Sequence, residues 1–141
     1  MSDPLIDPRI KASFDRQPMM QSLQARLIEA GNGRCVIRAP LLAGFTQQQG
    51  FAHGGTTFTL GDTAAGYAAL SMVPPEKEVL TVEMKVNYLA PIIDAEIEAV
   101  AEVLRAGRRL IVVRGELFAL KGEKRRSAAL ILGTICPVDP A

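Results

Sequence analysis

The spacing of apolar and polar residues changes several times along this chain, and each change marks an element. Asp7-Pro8 offers an N-cap followed by a proline at the first helical position, and Ile10 and Phe14 then share a face. This predicts a short amphipathic helix over about 7–16, closed by Gln17-Pro18. Met20 to Ala30 and Arg34 to Leu41 flank Gly31-Asn32-Gly33, and an Asn-Gly pair between such runs predicts an antiparallel hairpin, because both central residues accept positive φ. Residues 42–52 form a loop rich in Gly and Gln.

From Gly54 the pattern becomes apolar nearly all round, with Asp62 as the sole charge, until Pro74-Pro75 stops it. A central helix over about 54–72 is expected. Its glycines and threonines give it poor intrinsic propensity, so it needs packing on most sides. Val79 to Tyr88 alternates cleanly: Leu80, Val82, Met84, Val86 and Tyr88 point one way, and Thr81, Glu83, Lys85 and Asn87 the other. Three further strands follow, Ala95 to Arg105, Leu110 to Leu120 and Arg126 to Cys136, joined by turns at 106–108 and 121–124. The pattern is α+β, one antiparallel sheet with a helix packed in its curve. No repeat or internal linker interrupts it, and 141 residues are the size of one domain, taken here as 1–141.

Composition narrows the function. Sixteen basic and fifteen acidic residues leave a net charge of +1, which gives no global field for nucleic acid or an anionic membrane. With no Trp and 5% aromatic residues, a base-stacking platform is poorly supplied. Cys35 and Cys136 lie far apart outside any CxxC, as free thiols in a reducing compartment do. The N-terminus lacks the basic and apolar regions of a signal peptide, and no apolar run is long enough to span a bilayer. A cytoplasmic protein is expected.

The candidate chemistry lies on the central helix. Asp62 shares a face with Gly55, Phe58, Ala65, Gly66 and Ala69, so one carboxylate projects from small and apolar neighbours that leave room for a ligand. Taken alone, such an Asp more often accepts structural hydrogen bonds; in poorly solvated surroundings it also suits base or nucleophile duty. His53, the only histidine, reads first as a structural hydrogen-bonding residue, and with no second His and no paired Cys no metal site is expected. Gly54 and Gly55 expose the first N–H groups of the helix, which lack intrahelical partners and sit at the positive end of its dipole. They suit a developing oxyanion, although a tight turn also explains them. No P-loop or GxSxG elbow occurs. Arg105, Arg108, Arg109, Lys121, Lys124, Arg125 and Arg126 fall at hairpin tips, either as a solvated rim or as a hold for the phosphates of a nucleotide-tailed ligand.

Taken together, His53-Gly54-Gly55, Asp62-Thr63-Ala64 and Thr81-Val82-Glu83-Met84-Lys85-Val86-Asn87-Tyr88-Leu89-Ala90-Pro91 resemble the hotdog-fold acyl-CoA thioesterases of the phenylacetate-degradation (PaaI-like) type. The resemblance runs from about Met20 to Cys136. It implies a curved antiparallel sheet wrapped around one long helix, and hydrolysis of a CoA thioester without a cofactor. By that resemblance Asp62 is the catalytic carboxylate, Gly54 supplies the N–H that polarises the thioester carbonyl, and His53 shapes the turn. Gln47 falls where members carry an Asn or Gln that orients water or acyl group. Thr81 falls where some use Ser to hold the water, keeping the hydroxyl and adding a methyl. Gly55, Phe58, Gly66, Arg108 and Arg109 are the candidate substrate-binding residues. Two rival classes are a non-catalytic acyl-CoA binding module, against which the presence of Asp62 argues, and a hotdog dehydratase, whose HFPG-type surroundings are absent.

Gly54 and Asp62 stand eight residues apart, about 12 Å along a helix rising roughly 1.5 Å per residue. One thioester carbon cannot lie about 3 Å from both. The two groups converge if a second copy of the helix lies antiparallel across a two-fold axis, so a homodimer with shared sites, assembling to a tetramer, is expected.

Overall fold

In the computed structural model, which describes residues 2–141 and so leaves Met1 of the expected span outside it, the Asn32-Gly33 turn forms as its sequence predicts. The two residues have φ of 51° and 77° and join β1 (Arg26–Gly31) to β2 (Arg34–Pro40). The remaining strands are β3 (Glu78–Tyr88), β4 (Glu96–Ala106), β5 (Ile111–Lys121) and β6 (Lys124–Val138). They form one six-stranded sheet in the order β1-β2-β4-β5-β6-β3, with every neighbouring pair antiparallel. β4, β5 and β6 make the expected hairpin meander. β3 instead crosses to the far edge, so β1 and β3 are the two outer strands.

The chain opens with α1 (Pro8–Asp15), where the Asp7 side chain accepts from the Arg9 N–H at 2.8 Å and Pro8 fills the first turn. Pro18 does more than close this helix: it starts a second, α2 (Pro18–Ser22). The strand expected from Met20 therefore begins at Arg26, after Gln24 turns the chain at φ 54°. Burial explains the difference. Met20 and Leu23 are almost fully buried at helical spacing, and that packing overrides the strand expected from Met20.

α3 (Gly54–Leu70) lies in the hollow of the sheet against β2, β3, β4 and β5. It ends two residues before the expected limit, at a C-cap on Ser71, whose hydroxyl donates to the Ala68 carbonyl and accepts from the Gly33 N–H. Leu60, Ala64, Ala65, Ala68 and Ala69 are fully buried. Their burial, at about 0.8 kcal/mol per CH2, offsets the roughly 0.5–1 kcal/mol that each internal glycine costs a helix. Gly61 returns part of that cost: a Cβ there would stand 3.1 Å from Leu117 and 3.2 Å from Ile131, so its absence lets helix and sheet approach.

β3 departs from the alternation read in its sequence. A bulge between Thr81 and Glu83 leaves Val82 without a partner on β6. Before it, Thr81 reaches the helix; after it, Met84 and Val86 pack on the core. Leu80 and Val82, expected on the same side as Met84, stand exposed at 64% and 58%. The inserted residue changes which parity faces inward.

On the opposite face of the sheet Glu98 is nearly buried, accepting from Arg38 at 2.6 Å and from Arg125 at 2.9 Å, while Arg125 lies 3.5 Å over the Phe118 ring. Burial pulls the Glu98 carboxyl upward, but the two guanidinium groups win and hold it below the usual range.

Candidate active site

Two clefts open along α3, and they divide the sequence-predicted residues between them. The first, about 390 Å³, lies at the N-terminus of the helix and is lined by Gln47, Gly54, Tyr88 and the 89–92 segment, among others. The second, about 410 Å³, lies further along and holds Asp62, Gly66 and Thr81.

The N-terminal turn is held from several sides. The His53 N–H donates to the Phe45 carbonyl, and the His53 carbonyl accepts from Thr56 and Thr57. His53 Nδ1 accepts from the Gly55 N–H at 2.9 Å, which makes the imidazole the N-cap and leaves any single ring proton on Nε2. Tyr88 donates its hydroxyl to the Gly54 carbonyl at 2.8 Å. The peptide unit between Gly54 and Gly55 is thus fastened at both ends, by Tyr88 on its oxygen and His53 on its nitrogen. The Gly54 N–H has no acceptor among the described residues. It is a helix-terminal donor beside an open cleft. A side chain at this position would meet the Tyr88 ring at 3.1 Å, so glycine is what allows the tyrosine to sit there.

Gln47 shares this cleft, but its amide is partly occupied. Its Oε1 accepts from the N–H groups of Gln49 and Phe51, and its Nε2 donates to Gln49 Oε1 at 3.3 Å. One N–H of the Gln47 amide remains for a ligand.

In the second cleft, Asp62 is half-buried and its Oδ1 accepts from the Thr81 hydroxyl at 2.7 Å. Oδ2 has no partner among the described residues. The bulge in β3 puts Thr81 on this side of the sheet. Gly66, one turn further, would carry a Cβ into open space, with nothing within 4 Å. Ala65 and Ala69, expected to share this open face, are instead fully buried.

The other candidates are scattered. Phe58 is half-buried and lines neither cleft; Gly55 faces a separate shallow groove with His53 and Phe45. The basic residues divide between opposite ends of the sheet. Arg108 and Arg109 are exposed in the β4–β5 turn, just before Ile111, which pairs with Ile135, itself the partner of Thr81. Lys121, Lys124, Arg125 and Arg126 lie at the β5–β6 turn, and Arg126 donates to the Pro91 carbonyl beside the Gly54 cleft. Tyr88 is the contributor that its sequence did not mark as a site residue; its place in the Thr81–Pro91 motif was the available signal. No group of three His, Cys, Asp or Glu among the described residues could hold a metal ion, and none of their helices is long and apolar enough to cross a membrane.

A helix wrapped by a curved antiparallel sheet, with a free amide at its tip and a carboxylate along its length, defines a hotdog-fold thioester hydrolase. The Thioesterase superfamily model matches residues 49–125, which include Gly54, Asp62, Thr81 and Tyr88, and the chain belongs to that superfamily. A Saccharolobus solfataricus protein named as an esterase is 32% identical over 117 residues, covering 82% of this chain and 81% of that one. The solved structure of a thioesterase family protein from Silicibacter pomeroyi superposes with a TM-score of 0.90 at 37% identity, over 94% of this chain and 97% of that one. The PaaI protein of the phenylacetic acid degradation operon of E. coli shares the fold, with a TM-score of 0.85 at 21% identity, over 94% and 93% of the two chains.

Proposed function

We propose that this protein is an acyl-CoA thioesterase that hydrolyses a small acyl- or aroyl-CoA to the free acid and CoA, with Asp62 and Gly54 as its two working groups. The observation that carries the reading is the pair of unsatisfied groups on one helix: the free Oδ2 of Asp62 and the free N–H of Gly54. Asp62 either takes a proton from an attacking water or attacks the thioester carbon itself. In both cases negative charge grows on the carbonyl oxygen, the Gly54 amide stabilises it, and the CoA sulfur leaves. Thr81 fixes the carboxylate by its Oδ1, and Gln47 offers an N–H to the acyl oxygen or water. A Listeria monocytogenes relative, 23% identical over 90 residues, is named a 1,4-dihydroxy-2-naphthoyl-CoA hydrolase, which agrees with an aroyl-CoA substrate.

The two groups work together only in a homodimer. They are about 12 Å apart along the helix axis and open into separate clefts. β3 supports such a dimer, being an eleven-residue outer strand with Leu80 and Val82 exposed, ready to pair with its own copy across a two-fold axis. That arrangement runs the two helices antiparallel, with Gly54 of one protomer facing Asp62 of the other; tetramers build from such dimers. Arg108 and Arg109 are exposed cations for the CoA phosphates. Two unpaired cysteines and a CoA substrate both suit the cytoplasm.

The decisive measurement is turnover of an acyl-CoA panel by wild type and Asp62→Asn. The variant keeps the shape of the side chain, so it should fold while kcat drops by about 10²–10⁴-fold. Wild-type turnover in a folded Asp62→Asn protein would remove the assignment.

A further inference from the structure

The outer strand β3 carries two opposite charges that its own protomer leaves unpaired. Met84 and Val86 pack on the core, so Glu83, Lys85 and Asn87 face the outer side of the sheet. The Glu83 carboxylate accepts from the Thr134 hydroxyl at 2.8 Å through Oε1, and Oε2 has no partner among the described residues. Lys85 lies beside the exposed Leu132 and has no hydrogen-bonding or ionic partner among the described residues. On the same face Arg34, Arg38 and Arg114 each meet a carboxylate, from Glu29, Glu98 and Glu102. Free opposite charges two residues apart therefore stand at the edge where a second copy would pair.

The register of that pairing is limited by the site it has to build. Thr81 holds Asp62 and Tyr88 holds Gly54, so a shared site needs Thr81 of one protomer near Tyr88 of the other. In an antiparallel pair related by a two-fold axis, they approach when the axis crosses β3 midway between them. That midpoint falls between Met84 and Lys85. A half-way register is excluded, because it sets the inward side of one strand opposite the outward side of the other. The axis therefore passes at Met84 or at Lys85. Either brings Tyr88 within about two residues of the level of Thr81. An axis at Lys85 sets Lys85 against its own copy and Glu83 against Asn87. An axis at Met84 sets Glu83 of each chain against Lys85 of the other. Opposite charges directly across an antiparallel pair are favourable, and like charges are not.

We propose that Glu83 and Lys85 fix the register of the β3–β3 contact by pairing with each other across a two-fold axis at Met84. This alignment rests on the shared-site dimer described above and adds the two residues that decide how its halves meet. A slip to the next register moves one strand past the other by two residues, about 7 Å. Gly54 and Asp62 must both come within about 3 Å of one reacting carbon, so alignment and activity go together.

Charge reversal tests the pairing. Glu83→Lys and Lys85→Glu each turn both pairs into like charges, and both side chains are exposed, so the variants should fold. Each homodimer should weaken by about tenfold or more in Kd at low salt, and the loss should shrink at about 1 M salt. When the two variants are refolded together, every facing pair becomes attractive again. Native mass spectrometry of an equal mixture, with one variant tagged, should find about nine in ten dimers mixed, against about one half for random pairing. The mixture should also regain wild-type turnover of acyl-CoA. An axis at Lys85 predicts a different pattern: Glu83→Lys dimerises like wild type, and Lys85→Glu prefers wild-type chains. That pattern, or random pairing of the two variants in an active dimeric enzyme, would overturn the alignment alone. A monomeric wild type would remove the shared-site dimer with it. Mixed dimers that form as expected while even wild type turns over no thioester would remove the hydrolase reading and leave the alignment standing.

Discussion

In the proposed reaction the two clefts on α3 contribute in different ways. At the N-terminal turn the proposed working group is a backbone N–H, which no substitution other than proline deletes. Its neighbours can only orient it: Tyr88 on one end of the following peptide, His53 on the other, Phe45 behind. The site tolerates changes of chemistry better than changes of volume, because a single added carbon at Gly54 already meets the Tyr88 ring at 3.1 Å. Eight residues on, the proposed working group is a side chain in roomier surroundings. Asp62 has one protein partner, and Gly66 beside it faces open space. There chemistry matters and volume is spare. A reaction that needs both groups inherits both kinds of fragility.

The comparison is tested most severely by breaking each half in a different chain. Gly54→Ala and Asp62→Asn proteins should each be nearly inactive alone. Unfolded together and refolded as an equal mixture, they should form heterodimers in which one of the two sites has an intact Gly54 from one protomer and an intact Asp62 from the other. Random pairing makes half the dimers mixed, each with one working site of two, so about a quarter of wild-type activity should return. If each chain contained a complete site, the mixture would stay as inactive as its parts. Activity of the separately refolded proteins, measured at the same total concentration, provides the baseline.

A smaller effect should come from loosening the backbone half without touching the donor. Tyr88→Phe removes one hydroxyl and keeps the ring against Gly54. The peptide between Gly54 and Gly55 then loses one of its two fastenings. Since the lost bond positions a group that acts on the transition state more than on bound substrate, kcat should fall by about tenfold with KM within about twofold of wild type. An unchanged kcat would show that the remaining bonds of the turn hold it without Tyr88. A rise in KM with kcat intact would make Tyr88 a wall of the cleft and nothing more.

Much of the fold was legible because its signals are local. Asn32-Gly33 can be read as a turn from two residues, and an apolar stretch with glycines and threonines can be read as a helix that needs wrapping. What failed depended on distant partners. Pro18 looks like a terminator until the buried Met20 and Leu23 show a second helical turn packed on the core. The alternation of β3 looks unbroken because a bulge leaves no residue-type signature; it appears only when Thr81 and Glu83 pair with neighbouring residues of β6 and Val82 is left over. The bulge bears on the site, since the parity read from the sequence turns Thr81 away from Asp62. The helix likewise gave the spacing of Gly54 and Asp62, but the hydrogen bonds of Tyr67 with Ser13 and Gln17 join segments some fifty residues apart. No pattern along the chain connects them.

The smallest effects are expected from two glycines of the same helix, and they carry the contrast between tight and roomy surroundings into stability. Gly61 faces the sheet. A methyl there must fit at 3.1 Å from Leu117 and 3.2 Å from Ile131, so Gly61→Ala should lose about 1–3 kcal/mol by overpacking, more than the helix gains from alanine. Gly66 faces the Asp62 cleft with nothing within 4 Å, so Gly66→Ala should gain about 0.5–1 kcal/mol from helix propensity. Urea denaturation of the two variants, at matched protein concentration because the stability of the proposed dimer depends on it, should move their midpoints in opposite directions. Loss of stability in Gly66→Ala would mean that the space beside Asp62 is filled in the assembled protein, and that the open side of α3 is as tightly packed by a second protomer as its inner side is by the sheet.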